Sequence, residues 1–142
     1  MNKQLLKEYV MQFVGTPYHY GGSNPMTGFD CSGLVMECLM AMGVFPYGTR
    51  LNAQMLHDHF IKEGKLGGKE LGALAFYGKG PHGIDHVGMF LDDRYVIEAA
   101  GGTAQTTNLA DAVQHNAFVK IRSFDYRHDF VESVLPNVMQ GV

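Results

Sequence analysis

The chain has 142 residues, of which 46% are hydrophobic and 18% charged, and its formal net charge is -3. This length is typical of one domain with its own core, and the composition excludes an intrinsically disordered chain. The acidic balance excludes a strongly basic nucleic-acid-binding protein. The 18 glycines indicate many tight turns and close backbone contacts.

Three helices are predicted in the first half of the chain, from apolar residues at three- and four-residue spacing. The first covers residues 2–14, and the glycine- and proline-rich segment 15–30 that follows it is predicted to be an ordered loop. The second covers residues 31–42, and the third covers residues 52–64. Each of the last two ends at or next to a glycine, which is a common helix stop.

The second half of the chain consists of short apolar runs that are typical of β-strands. Strands are predicted over residues 72–77, 86–91, 95–99 and 119–124, and a short helix over residues 108–116. Two aspartates between the second and third strands predict a hairpin, and residues 125–142 yield no prediction. Helices followed by an antiparallel sheet predict the α+β class, with N-terminal helices packed on a central antiparallel β-sheet.

The two cysteines, Cys31 and Cys38, are predicted to share the second helix. Seven rises of about 1.5 Å would separate their Cα atoms by roughly 10 Å, whereas a disulfide needs less than about 7 Å. We therefore expect two free thiols. Cys38 lies mid-helix among apolar residues and is predicted to belong to the core.

Cys31 stands at the start of its helix, within the sequence Asp30-Cys31-Ser32-Gly33. A thiol at a helix N-terminus lies at the positive end of the helix dipole, which favours the thiolate. The thiolate is the nucleophilic form, so this position suits attack on a carbonyl carbon. The alternative is that Cys31 is a small buried apolar residue, which is the commoner role of a cysteine.

A nucleophilic cysteine needs a base, and His86 opens an apolar strand next to a glycine- and proline-rich loop. Glu98 lies inside the following apolar strand, where a carboxylate either faces solvent or pairs with a buried partner. Pairing with His86 would give a Cys-His-Glu arrangement in which the carboxylate orients the imidazole. Taken alone, His86 is more commonly a hydrogen-bonded surface or core residue.

The register of the hairpin decides whether His86 and Glu98 can meet, because side chains alternate between the faces of a sheet. A two-residue turn at residues 92–93 would place Glu98 on the face opposite His86. A three-residue loop over residues 91–93 would place the two side chains directly opposite each other on one face. We predict this loop or an equivalent bulge, because aspartate tolerates the left-handed conformation that such loops need.

Other chemistry is weakly indicated. His57 and His59 face different directions on their predicted helix, and the glycine and proline near His82 and His86 oppose the helix that a zinc-binding pair would need. The sequence contains no phosphate-binding loop, dinucleotide fingerprint or basic stripe. We therefore expect no metal, no organic cofactor and no nucleic-acid partner.

The N-terminal sequence MNKQLLKEYV predicts no signal peptide, because charged residues interrupt any apolar core. The longest apolar-rich stretch, residues 34–45, contains a glutamate and is too short to cross a bilayer. We therefore expect a protein that is made in the cytoplasm and is not inserted in a membrane.

Three segments resemble the NlpC-type cell-wall cysteine peptidases, which are small papain-like enzymes. They are residues 15–22 (GTPYHYGG), 28–35 (GFDCSGLV) and 85–88 (DHVG). The likeness covers about residues 5–125, and its elements occur in the family's order. It implies that residues 1–142 form a single cysteine peptidase domain with a papain-like fold.

The resemblance also implies catalytic roles. Cys31 matches the nucleophile of the family and His86 its general base. Tyr18 matches a tyrosine whose hydroxyl lines the site, where it would help the Cys31 backbone N–H to bind the oxyanion. Glu98 stands where the family commonly has a histidine, so a base-orienting role for a carboxylate is a prediction particular to this chain.

The implied substrate is a peptidoglycan stem peptide or muropeptide, cleaved between γ-linked D-Glu and diaminopimelate or Lys. Asp30 and Ser32 match positions that contact a substrate's free amino end, and Tyr20 is taken as a further substrate-binding residue.

The segment 72–107 resembles phage-associated members, which predicts delivery to the cell wall by a phage tail or lysis assembly; a bacterial enzyme acting on recycled wall peptides is the alternative. Rival functions are an acyltransferase or amidase on the same scaffold, and a non-catalytic phage-tail module.

Overall fold

The structure is a computed structural model that describes residues 2–136. The helices and strands in this part of the chain are α1 (Lys3–Met11), β1 (Ser23–Asn24), β2 (Gly28–Phe29), α2 (Cys31–Ala41), α3 (Ala53–Lys62), β3 (Leu74–Gly78), β4 (Ile84–Phe90), β5 (Tyr95–Ala100), α4 (Leu109–Gln114), β6 (Phe118–Ser123) and β7 (Phe130–Val134). The predicted α+β class is confirmed. No helix within residues 2–136 has both the length and the apolarity to span a bilayer.

The main sheet has five antiparallel strands in the order β6-β5-β4-β3-β7. The strands β4 and β5 are therefore central, and their side chains are almost entirely buried. The short pair β1–β2 forms a separate ribbon within the segment that was predicted to be a loop. Because β4 and β5 each have a strand on both sides, residues on them are held firmly by the ladders.

Each helix begins after a short polar residue whose side chain accepts a hydrogen bond from a backbone N–H in the first turn. The capping residues are Asn2, Asp30, Asn52 and Asn108. These caps explain why the predicted helix starts agree with the structure to within a residue. The cap on α2 fixes Cys31 as the first residue of that helix.

The helix α2 is buried along most of its length and packs on β4 and β5. Cys38 is fully buried in the core under the sheet, as predicted, and burial raises the pKa of its thiol. Both cysteines are free thiols. This packing places the N-terminus of α2, and with it Cys31, beside the central strands.

The hairpin loop has the predicted three residues, but the predicted position is wrong, because the loop consists of residues 92–94 and not 91–93. The backbone N–H of Leu91 donates to the carbonyl of Tyr95 over 2.8 Å, which keeps Leu91 in the ladder. The Asp92 carboxylate accepts bonds from the N–H groups of Arg94 and Tyr95 at 2.8 and 2.7 Å. This side-chain turn, together with burial of Leu91, moves the loop one residue along the chain.

Candidate active site

The local backbone around Cys31 requires glycine. A Cβ on Gly33, in the first turn of α2, would overlap the carbonyl oxygen of Gly22. That carbonyl accepts a 2.9 Å hydrogen bond from the N–H of Asp30, which ties the preceding loop to the helix start. Cys31 is therefore held between a tightly packed loop and the first turn of α2, where it remains partly exposed.

His86, on β4, is 6% exposed. Its Nε2 donates a 2.8 Å hydrogen bond to Oε1 of Glu98 on β5. Burial lowers the pKa of His86, but the side chains of Cys31 and Glu98 raise it more, so that it moves from 6.5 to about 9. The imidazole is therefore protonated at neutral pH, and Nδ1 is the ring nitrogen that the bond to Glu98 leaves available.

Glu98 is a buried carboxylate, 2% exposed, with two cationic partners on one oxygen. Oε1 accepts the bond from His86 and a 2.9 Å bond from Nη2 of Arg122 on β6. Burial raises the pKa of Glu98, but these two partners lower it below its usual value. The carboxylate is therefore ionised and stabilises the imidazolium form of His86.

His86 and Glu98 meet diagonally across β4 and β5. Met89 pairs with Ile97, and counting along this register places Glu98 opposite Gly88 instead of opposite His86. Both side chains still lie on the same face, because two residues is one full side-chain period. The predicted contact is therefore present, although the predicted direct pairing is wrong.

Tyr18 lies in the loop before α2, where its backbone bridges to Phe29 and its N–H donates to the carbonyl of Ala117 at 3.0 Å. Its ring covers Gly102, since a Cβ there would overlap ring carbons. Burial first, and then the nearby Cys31 and Asp30, raise the pKa of the Tyr18 hydroxyl. The phenol therefore keeps its proton and can act as a hydrogen-bond donor.

The carboxylate of Asp30 already has an internal cationic partner. Nη2 of Arg50 donates to both Asp30 oxygens at 2.7 and 2.8 Å, and Nη1 donates to Oγ of Ser32 at 2.9 Å. Oδ1 of Asp30 also accepts the N–H of Gly33 as the helix cap. A substrate ammonium at Asp30 and Ser32 would therefore have to share the site with Arg50 or displace it.

Two cavities meet at Cys31, and Tyr18 and Asp85 also line both of them. The smaller, of about 250 Å³, extends past His86 to Arg122 and Arg127. The larger, of about 400 Å³, is lined among others by Tyr20, Asp30, Ser32 and Gln54. Tyr20, which lines the larger cavity, is 54% exposed. A linear substrate can thus pass over Cys31 with one part in each cavity.

Three of the histidines considered as metal ligands, His57, His59 and His86, contact carboxylates in the structure. His57 is buried, and its two ring nitrogens contact Asp58 at 2.9 Å and Glu132 at 2.5 Å. This arrangement joins α3 to β7. Within residues 2–136, no group of three His, Cys, Asp or Glu side chains has the geometry of a metal site.

Sequence reasoning missed the arginines of the site. Arg122 pairs through its backbone with Val96, two residues along β6 from Lys120, which is opposite Glu98. Its alternating position on β6 is visible in the sequence, but the β5–β6 register is not. Arg50 and Arg127 lie in loops and carry no local signal that links them to Asp30 or to Asp85.

Taken together, a papain-like α+β fold holds a cysteine at a helix N-terminus beside a buried histidine and carboxylate. The model of the NlpC/P60 family matches residues 15–123, which is most of the chain. The protein belongs to this family, as the sequence resemblance predicted.

Curated relatives include two bacterial cell-wall enzymes. The murein DD-endopeptidase MepH of Escherichia coli (strain K12) is 31% identical over 116 residues, which is 80% of this chain and 42% of that protein. The bifunctional muramidase/DL-endopeptidase CwlT of Bacillus subtilis (strain 168) is 35% identical over 109 residues, 74% of this chain and 31% of that protein. The chain thus spans less than half the length of either relative.

Solved structures share the fold. The NlpC/p60 domain of the peptidoglycan hydrolase SagA matches with a TM-score of 0.63 and 24% identity, covering 94% of this chain and 98% of that domain. The peptidoglycan hydrolase RipB of Mycobacterium tuberculosis matches with a TM-score of 0.62 and 21% identity, covering 98% of this chain and 67% of that one. These comparisons do not show a phage association, which stays a prediction.

Proposed function

We propose that this protein is a cysteine peptidase that hydrolyses amide bonds in the stem peptides of peptidoglycan. The observation that carries the proposal is the contact of His86 Nε2 with the buried carboxylate of Glu98, beside the cavity that contains Cys31. A protonated His86 next to a cysteine at a helix N-terminus is the arrangement that thiol nucleophiles use.

The chemistry proceeds through a thioester. Cys31 Sγ attacks the amide carbonyl carbon, and the developing oxyanion accepts hydrogen bonds from the Tyr18 hydroxyl and the Cys31 backbone N–H. His86 gives its proton to the leaving nitrogen as the C–N bond breaks. Water then attacks the thioester, His86 takes a proton from it, and the carboxylic acid product leaves the regenerated thiolate.

The proposed scissile bond joins γ-linked D-Glu to diaminopimelate or Lys. Two relatives support this choice by name, the DL-endopeptidase CwlT and a gamma-DL-glutamyl hydrolase, both of Bacillus subtilis (strain 168). The name of MepH designates a DD-endopeptidase, so a DD bond is the competing outcome. We further propose that the protein acts at the cell wall after delivery by a phage tail, a lysis assembly or another route.

The test is mass spectrometry of purified peptidoglycan after incubation with the protein. We expect new ends at the γ-D-Glu bond with the wild type and with Cys38→Ala, and none with Cys31→Ala. Products extended by an added amine instead of water would indicate an acyltransferase. Failure of the folded wild type to change either diaminopimelate-type or Lys-type walls would contradict the proposal and favour a non-catalytic module.

A further inference from the structure

We propose that the smaller cavity binds the residue on the amine side of the scissile bond and selects a residue that carries a free carboxylate, through Arg127 and Arg122. This inference rests on the proposed function and adds the substrate chemistry. Its basis is that Arg122 and Arg127 line the same cavity as Cys31 and the proton donor His86.

The direction of the substrate follows from the proton transfer. His86 must reach the leaving nitrogen, so the amine side of the substrate lies on the His86 side of Cys31. The cavity of about 250 Å³ contains both Cys31 and His86. The larger cavity includes Cys31 but not His86, and it is therefore the place for the acyl side.

Both arginines are held in place by hydrogen-bond partners that leave part of each guanidinium group available to a ligand. Arg127 uses Nε and Nη2 for Asp129, at 2.9 and 2.7 Å, and Arg122 uses Nη2 for Glu98. Within residues 2–136 the structure records no hydrogen bond from Nη1 of either side chain. The Arg122 guanidinium also lies 4.4 Å from the centre of the Tyr126 ring. Donors fixed in this way before binding lose little freedom when a carboxylate arrives.

The cavity also presents a negative charge, which restricts the chemical class of ligand that it can bind. Asp85 lines it and lies 3.6 Å from Nη2 of Arg127. An adjacent carboxylate and guanidinium match a side chain that ends in both an ammonium and a carboxylate, as in diaminopimelate. Lysine offers the same ammonium without the carboxylate. The remaining charges near the two arginines, on Glu98 and Asp129, are engaged by them.

A carboxylate in this cavity could come from the side chain of a diamino acid or from the chain end. Three synthetic substrates separate the sources, each with L-Ala-γ-D-Glu on the acyl side. The leaving residue is meso-diaminopimelate with its α-carboxyl amidated, Lys with its α-carboxyl amidated, or Lys with a free α-carboxylate. Charged hydrogen bonds of this kind predict a kcat/KM for diaminopimelate about tenfold or more above amidated Lys.

If kcat/KM rises by a similar factor only for Lys with the free α-carboxylate, the result would support carboxylate selection. The carboxylate recognised would then be the one at the chain end. Equal kcat/KM for all three substrates would overturn the inference while leaving the proposed function intact. Arg127→Gln should remove most of the preference, measured as the ratio of kcat/KM for diaminopimelate to kcat/KM for amidated Lys, whereas Arg127→Lys should retain part of it. The control Arg94→Gln, in the β4–β5 loop, should keep the full preference; thermal unfolding checks that each variant folds.

The inference stays testable if the wild type hydrolyses none of the three substrates, a result that would contradict the proposed function. Calorimetry with Cys31→Ala then compares free meso-diaminopimelate with free Lys. Both carry an α-carboxylate, so only the side-chain carboxylate differs. Tighter binding of diaminopimelate that disappears in the double variant with Arg127→Gln would support the cavity's selectivity, and equal affinities would overturn it.

Discussion

Gly88 on β4 lies directly opposite Glu98 on the neighbouring strand β5. A Cβ on Gly88 would stand 3.2 Å from the Glu98 Cβ and would overlap Cγ1 of Val96. Glycine therefore leaves free the space next to the base of the Glu98 side chain, whose carboxylate contacts His86. The hairpin thus needs a residue without a side chain at this position.

We expect Gly88→Ala to lower kcat/KM at least tenfold and to lower the free energy of unfolding by about 1–3 kcal/mol, the usual effect of overpacking. The backbone of Gly88 has no positive φ, so the effect is steric. The matched control is Gly83→Ala, whose Cβ would meet only the Lys79 side chain at 3.3 Å and the nearby Lys79 backbone beyond it. Equal activity of both variants would show that the contact of Glu98 with His86 tolerates the added methyl group.

The raised pKa of His86 predicts the alkaline limb of the activity profile. kcat/KM should decline as the pH rises through about 9, because a neutral imidazole cannot protonate the leaving nitrogen. The folded pKa exceeds the unfolded value of roughly 6.5. The stabilisation from this proton is therefore complete below that value and is lost as the pH rises through the folded pKa. A decline centred near pH 6.5 would contradict the role of a protonated His86 as the proton donor.

Glu98→Gln should lower turnover and move the alkaline limb to lower pH. The neutral amide no longer raises the pKa of His86 and stabilises the imidazolium less. The pH dependence of kcat/KM measures both effects. Glu63→Gln is the control, since it removes a carboxylate 3.6 Å from His59 at the end of α3. An unshifted limb in Glu98→Gln would leave Cys31 and His86 as a dyad.

Tyr18→Phe should reduce kcat by about 10²–10³ with little change in KM, which is the usual cost of one oxyanion donor. The raised pKa of this hydroxyl keeps it protonated as a donor. Steady-state kinetics on a defined peptide provide the measurement, with Tyr47→Phe as a control because Tyr47 is 95% exposed. Unchanged turnover would mean that Tyr18 only packs the loop against Gly102.

Activity should persist in EDTA, because the proposed steps use only the Cys31 thiolate, the His86 proton and hydrogen-bond donors. The relevant measurement is the rate before and after dialysis against the chelator. Loss of activity that zinc restores would revive the interpretation of His82 and His86 as metal ligands.

The features predictable from the sequence are local. Helix starts follow from capping residues such as Asp30 and Asn52, whose side chains act within three residues. The strand β7 was missed because its first three residues are only partly buried and the polar Glu132 and Ser133 are adjacent in it, so no clear alternation marks it.

Register and long-range pairing were harder to predict. The hairpin loop depends on the Asp92 side chain, which accepts two backbone N–H groups, and residue preferences alone do not determine that choice. Contacts such as Arg122 with Glu98 span 24 positions and depend on which strands become neighbours. The sequence therefore predicted that His86 and Glu98 share a face, but neither their diagonal geometry nor the arginine beside them.

The difference in exposure between the two thiols provides a direct measure of whether the protein is folded. Cys38 is fully buried and its pKa is raised, whereas Cys31 is partly exposed at the cavity wall. A thiol reagent therefore counts one reactive sulfur per native molecule and two per unfolded molecule. The number of sulfurs that react per molecule in a preparation, compared with the number after unfolding, therefore reports the fraction of molecules that are correctly folded. This measurement needs no substrate and can precede any assay of activity.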